Sequence, residues 1–350
     1  MRIEQIPLYR AMQKKNSPNI YDVARLAGFS IATVSRALSS PEKLRPATLA
    51  RVQNAIGKLG YLSSGVARAL VSRRTHTIGA VFPSLDSVFS STTYALQKEL
   101  DSAGYTLVVS CNEYDPQIET RLAKNLIEQG VDGLVLVGTT HTPELFGLID
   151  SLQIPYVLTW ASDPAGRLPC VGFNNRKATA LITRHLIELG HGNFAMISGL
   201  TVNNERAQER VAGVTETLAN FGLSLPQSHF IEAPFDFIAA RKATKKLMSR
   251  AKRPTAIVCG NDVLAVGAMA ECHAMGLTVP DDVSSGGCGD FGIASMVTPG
   301  LTTVRWPTRE LGKYAAIHLQ KTLSGSRVLP QQEFPVELVV RKTTAAPGGK

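Results

Sequence analysis

"NIYDVARLAGFSIATVSRAL", residues 19–38, gathers two short helical patterns around one glycine. Ile20, Val23, Ala24 and Ala27 recur at i, i+3, i+4 and i+7 and make a single apolar helix face. Asn19 is placed to cap that helix, and Asp22 lies near the positive end of its dipole. Gly28 provides a turn conformation that a β-carbon would penalise. Ser30 then caps a second helix, whose Val34, Ala37 and Leu38 face inward and whose Ile31, Ala32, Ser35 and Arg36 stay outside. Pro46 suits the first turn of a third helix carrying Leu49, Val52, Ile56 and Leu59 in a stripe, and Gly60 ends it. Two helices joined through a glycine turn and braced by a third describe a helix-turn-helix unit; a small scaffold with no nucleic-acid role is the lesser alternative on pattern alone.

Charge weighs on that choice. Residues 1–77 hold thirteen Lys and Arg against Glu4, Asp22 and Glu42, an excess of +10, whereas the remaining chain sums to −1. A basic head on a near-neutral body favours a polyanionic partner. On duplex DNA, the planar fork of Arg36 matches the two acceptors of guanine in the major groove. Ile31 and Ala32 can offer only apolar contact, such as to a thymine methyl. Ser30, Thr33 and Ser35 suit phosphates, which position the helix without reading sequence.

The run DVARLAGFSIATVSR, residues 22–36, resembles the N-terminal signature of the LacI/GalR family of bacterial transcription regulators, D-V-A-x-x-A-G-V-S-x-x-T-V-S-R. Phe29 departs from it, standing where the family has a small aliphatic residue. The resemblance implies operator reading by Ile31, Ala32 and Arg36. It also implies a hinge helix, since Tyr61, Ala67, Arg68 and Leu70 match Y-x-P-N-x-x-A-R-x-L while Ser63 and Ser64 replace Pro-Asn. Leu70 would be the apolar wedge opening the minor groove, with Arg68 on the backbone.

From Ile78 the pattern changes to short apolar runs alternating with helical ones: IGAVFPS, YTLVVSC, GLVLVG and IPYVLTW, then a second series with NFAMISG, SHFIEA, TAIVCG and DVSSGG. Such alternation predicts βαβ units on parallel sheets in two α/β lobes, with ligands bound outside the strands' carboxyl ends. The resemblance implies a periplasmic-binding-protein-like body whose lobes exchange strands near residues 300–340. The fold class is therefore α/β, an all-α helix-turn-helix headpiece before a two-lobed body with parallel sheets. The expected divisions are an N-terminal extension (1–18), the head (19–61), the hinge (62–76), an effector-binding and dimerisation domain (77–343) and a loose tail (344–350).

Effector candidates follow from strand ends and family positions. Arg210, three residues before Gly213, matches the position that commonly grips an effector carboxylate or hydroxyl, and Arg206 lies one turn earlier. Two arginines suit an anionic or polyhydroxy ligand. Asn261 stands where a strand meets a helix N-terminus, and the resemblance implies that it bonds ligand hydroxyls, although N-capping alone would also explain it. Gly289 stands where the family has an effector-binding Asp, so that Asp290 either substitutes or the contact is missing. Ser84, Asp86 and Phe89 follow the first strand, Thr140 and His141 the third, and Trp160 ends the fourth, offering a flat ring to a sugar. The HTP phrase and VRWPTRELG look nearest to the gluconate-utilisation branch, which implies a sugar acid.

Other classes fit less of the chain. The five cysteines are dispersed and the seven histidines form no metal or catalytic spacing, so no catalytic residue, metal or cofactor is expected. A transport binding protein would need an export signal, and MRIEQIPLYR lacks its apolar core. A cytosolic sugar enzyme leaves the basic head unexplained. The expectation is a cytoplasmic homodimeric repressor of carbohydrate or sugar-acid genes, with a pseudo-palindromic operator, a sugar or sugar acid as effector, and no membrane partner.

Overall fold

The computed structural model describes residues 18–39, 41–61, 74–163 and 165–348. It divides into two compact units, Met1–His76 and Thr77–Lys350, each described here by itself.

In the first unit, α1 (Ile20–Ala27), α2 (Ile31–Ser39) and α3 (Pro46–Leu59) follow the boundaries that their caps dictate. Asn19 and Asp22 form a reciprocal capping box on α1, and Gly28 closes it with φ 70°. Ser30 accepts the Thr33 N–H at 3.2 Å and so starts α2. Val23, Ala24, Ala27, Val34, Ala37, Val52, Ala55 and Tyr61 make the buried core. Phe29 has a local partner: the Arg51 guanidinium lies 4.8 Å over its ring and donates to the Ala27 carbonyl at 3.0 Å. The hinge positions Arg68 and Leu70 lie outside the described residues.

The second unit has two lobes, each on a six-stranded sheet. The first lobe runs β1 (Thr77–Phe82), α4 (Ser87–Ser102), β2 (Thr106–Cys111), α5 (Pro116–Glu128), β3 (Gly133–Val137), α6 (Pro143–Leu152), β4 (Tyr156–Thr159) and β5 (Cys170–Gly172). The chain then crosses to the second lobe through α7 (Asn175–Glu188), β6 (Phe194–Ser198), α8 (Glu205–Asn220), β7 (Phe230–Glu232), α9 (Phe237–Met248), β8 (Ala256–Cys259), α10 (Asp262–Ala274), β9 (Ser284–Gly289), α11 (Gly292–Met296) and β10 (Thr302–Arg305). It returns in α12 (Thr308–Leu323) against α4 and in β11 (Gln331–Glu333), which pairs parallel with β5. Finally β12 (Glu337–Val339) crosses back to pair antiparallel with β10. The sheet orders are β11-β5-β4-β3-β1-β2 and β12-β10-β9-β8-β6-β7. β1, β3, β6 and β8 are buried on both faces, as strands of a helix-covered parallel sheet must be.

Strand ends and helix starts are coupled chemically. Asp86, Asp115, Thr142, Asn204, Asp236 and Asn261 each cap the helix after a strand by accepting its first free N–H groups. The expected loose tail from residue 344 is corrected in part. The Thr344 hydroxyl lies 3.0 Å from His185 Nε2, the Ala345 carbonyl 2.9 Å from His191 Nε2, and the Ala345 N–H donates to Ser284 at 3.1 Å. These contacts give that short segment fixed polar partners on the second lobe.

Candidate operator face and effector chamber

The outer face of α2 begins at its N-terminus. Ser30, Ile31, Ala32 and Arg36 are exposed there, and Thr33 and Ser35 are half-buried. The hydroxyls of Ser30 and Thr33 lie 2.9 Å apart and complete the cap. Val34 and Ala37 face the core, so the apolar and polar sides of α2 divide as its periodicity requires.

In the second unit, one small chamber of about 20 Å³ lies between the lobes. Phe89, Trp160, Arg206, Arg210 and Asn261 meet there, joined by Val88, Tyr114, Asn204, Phe235 and Trp306. A space of that size holds about one water, so a ligand requires the lobes to part. Trp160 stands edge-on to Phe89 at 4.8 Å and to Trp306 at 5.8 Å, and Trp306 stacks on Phe173 at 5.4 Å.

Arg210 is the chemical centre. Gly213 lets α8 lie against α7, since a β-carbon there would overlap the Arg176 carbonyl. The Thr179 hydroxyl then donates to the Arg210 carbonyl at 2.7 Å. The guanidinium reaches inward over Trp306 at 5.4 Å and Phe235 at 5.9 Å, and its Nη1 donates to Asn175 Oδ1 at 2.6 Å. Burial, with the nearby charge of Arg206 adding to it, pushes its pKa down to about 10. Among the described residues it has no carboxylate partner within ion-pair distance, and its Nε has no hydrogen-bond partner.

Arg206 and Glu205 tie the lobes together. Arg206 Nη1 donates to the Val137 carbonyl of β3 at 3.1 Å, while Glu205 Oε1 accepts the Thr139 N–H at 2.8 Å and lies 3.2 Å from Arg206. Burial alone would raise the Glu205 pKa, but the Arg206 charge and the Thr139 N–H hold it below the usual carboxylate range. Thr140 adds a side-chain hydrogen bond to the same carboxylate and is itself exposed, on the outer side of this link.

Three other sequence candidates are engaged by groups outside the chamber lining. His141 is corrected: its ring is buried with Nδ1 2.7 Å from Glu119 and Nε2 3.1 Å from the Gly138 carbonyl, so both nitrogens are taken within the first lobe. Asp290 is corrected as a substitute for the missing Asp. It turns away at φ 53° and pairs with Arg305 Nε at 2.8 Å and Arg341 Nη2 at 2.6 Å. Asp86 is exposed and accepts the Val88 N–H at 3.1 Å as the cap of α4. Ser84 carries a buried hydroxyl with no partner among the described residues. Beside Gly287, burial pushes Asp262 up to about 7 even though the Thr303 hydroxyl and the Phe291 N–H (2.8 Å) both donate to it.

Tyr114, Phe235 and Trp306 were not among the sequence candidates. Each lies within three residues past the end of a strand (β2, β7 and β10), where the rule for open α/β sheets would have found them. Asn204 and Asn175 are hidden differently: Asn204 caps α8, which explains it without a ligand, and Asn175 donates to the Trp160 carbonyl at 2.9 Å and accepts from Arg210, a contact 35 residues away along the chain.

Two family models match this chain: "Bacterial regulatory proteins, lacI family" over residues 19–64, and "Periplasmic binding protein-like domain" over residues 183–344. The ribose operon repressor of Escherichia coli (strain K12) is 33% identical over 296 residues, 84% of this chain and 89% of that protein. The chain belongs to the lacI family of bacterial regulatory proteins. Catabolite control protein A of Priestia megaterium is 29% identical over 310 residues, covering 88% of this chain and 93% of the relative. Among solved structures, the Lac repressor dimer bound to operator and an anti-inducer superposes with a TM-score of 0.85 at 28% identity, over 95% of this chain and 100% of that one. This lacI-family chain is a DNA-binding transcriptional repressor with an effector-binding domain; the relatives are regulators, and the enzyme alternative is set aside. Among the described residues, no helix is long and apolar enough to cross a membrane.

Proposed function

We propose that this repressor works as a homodimer, reading a pseudo-palindromic operator in the cytoplasm and releasing it when a small anion enters the chamber around Arg210. In this scheme residues 19–61 read the duplex, 62–76 form the hinge with Leu70 as wedge and Arg68 on phosphate, and 77–343 bind effector and partner. Arg36 contributes base selectivity, and Ser30, Thr33 and Ser35 hold phosphates. The sequence points to a sugar or sugar acid as the effector, and what the chamber supports is the anionic group.

One observation carries this reading: Arg210 is a buried cation with no carboxylate partner among the described residues, at the junction of two lobes. Uncompensated charge in an interior costs several kcal/mol, and a ligand anion would relieve it. Arg206 and Glu205 bridge the lobes beside it, so a ligand there would change how the lobes meet.

The test is selection of binding sites from a random duplex library with the full-length protein, followed by titration of small anions against the selected duplex. Enrichment of an inverted repeat that anions release is the expected result. Enrichment of a lone half-site would refute the dimer, and a complex indifferent to every anion would refute the effector assignment.

A further inference from the structure

We propose that the effector is a flat, acceptor-rich anion, an aryl or conjugated carboxylate, rather than a polyol or sugar acid. The inference rests on the chamber being the effector site and names the class of ligand that fits its chemistry.

Five aromatic residues line the chamber: Phe89, Tyr114, Trp160, Phe235 and Trp306. Such walls reward a ligand with a flat apolar face. The polar groups are sorted by sign. Arg210 Nε, Trp160 Nε1 and Trp306 Nε1 are buried N–H groups with no hydrogen-bond partner among the described residues, and none of the three can accept.

The amide acceptors nearby are each partly used. Asn204 Oδ1 takes the Ala207 N–H at 3.3 Å, Asn261 Oδ1 the Leu264 N–H at 3.0 Å, and Asn175 Oδ1 the Arg210 guanidinium at 2.6 Å. No carboxylate is among the residues that line the space. Glu205 is bound to Thr139 and Arg206, Asp262 to Thr303 and Phe291, and Asp290 to Arg305 and Arg341. Each of those amide oxygens keeps a second lone pair, and the Tyr114 hydroxyl is the remaining side-chain acceptor among the residues that line the space.

The missing carboxylate has a structural replacement. Gly289 has φ 136°, and a β-carbon on it would stand 2.6 Å from the Phe291 ring. That ring therefore covers the end of β9, held through its N–H by Asp262. It meets Trp306 edge-on at 5.7 Å and 80°, making Phe291 a positioning residue for the chamber wall.

A sugar hydroxyl is a donor as well as an acceptor, and each one buried here would need an acceptor for its hydrogen. With one hydroxyl and three partly used amide oxygens set against a surplus of N–H donors, a polyol would match its hydrogens less well than a carboxylate matches its lone pairs. A carboxylate asks only for donors, and the ring that carries it would stack between indole and phenyl faces.

Trp160 and Trp306 are the chain's only two tryptophans, so tryptophan emission, excited selectively over the eight tyrosines, reads this chamber. The full chain is titrated with benzoate, 4-hydroxybenzoate, cinnamate, gluconate, galacturonate and glucose, with calorimetry in parallel to separate binding from light absorption. At least one aryl carboxylate is expected to bind at least about tenfold tighter than gluconate. Trp306→Phe and Trp160→Phe keep a ring and delete one donor each, and each is expected to weaken aryl binding about tenfold while the protein stays folded by circular dichroism.

Gluconate or galacturonate binding as tightly as the aryl acids would overturn the flat class and leave the anion reading standing. Glucose binding alone would overturn both. Silence from every aryl acid up to about 10 mM would also overturn the class. Aryl binding that both Trp→Phe variants retain in full would overturn the donor argument on which it stands.

Discussion

Replacing Arg210 with methionine separates a side chain kept for the fold from one kept for a ligand. Depression of the arginine pKa to about 10 corresponds to roughly 3 kcal/mol against the charged form at a fully buried site. Methionine removes that burden and fills much of the same volume. Against it stand the lost bond to Asn175, which leaves a buried acceptor unmatched at about 1–3 kcal/mol, and the lost stacking on Trp306 and Phe235 at about 1 kcal/mol. The opposing effects nearly cancel, so Arg210→Met is expected to change stability by no more than about 1 kcal/mol, a few degrees of melting temperature at most. Breaking a buried structural ion pair would instead cost about 3–5 kcal/mol. Thermal and urea unfolding of both proteins give the stability difference, and titration of a selected operator gives the response to effector. Near-wild-type stability and operator affinity, with the anion response gone, is the expected pattern. A loss of 3 kcal/mol or more on the scale of a broken buried pair would refute it and make Arg210 a structural residue.

Three further outcomes follow. Arg36→Ala should abolish discrimination at one base pair of each half-site, a loss of about 1–3 kcal/mol read by competition between operator variants, and unchanged selectivity would remove Arg36 from base reading. The raised pKa of Asp262 means that the native state binds its proton more tightly than the unfolded chain does; stability should fall as pH rises from about 4 to about 7 and then level off. Asp262→Asn should flatten that part of the pH–stability curve, and a slope identical to wild type would assign it to other groups. Glu205→Ala removes the acceptor for the Thr139 N–H and the partner of Arg206, so acrylamide should quench the two tryptophans more readily; equal quenching would show that this link does not hold the lobes together.

Local chemistry made the fold readable in the sequence. Asn19, Gly28, Pro46 and Gly60 mark the ends of α1 and α3, and the two series of apolar runs fall on the strands of the two sheets. β5, β11 and β12 were not among the apolar runs because three-residue strands leave little period to detect; for β11 and β12 only the exchange of strands near residues 300–340 was expected, from the family resemblance. Part of the chamber was legible: Arg210 came from the family position three residues before Gly213, and Phe89 and Trp160 from their places after strand ends. His141 and Asp290 misled because the groups that occupy them, Glu119, Arg305 and Arg341, lie 15 to 51 residues away along the chain. Gly289 was visible as a departure, but nothing in its neighbourhood says that a phenyl ring two positions on lies over it.

The placement of β11 in one sheet and β12 in the other bears on biosynthesis. A nascent chain with everything up to residue 330 outside the ribosome still lacks an edge strand for each lobe. Both lobes thus reach completion together, within the synthesis of a handful of codons, and neither could be excised as one uninterrupted piece of gene.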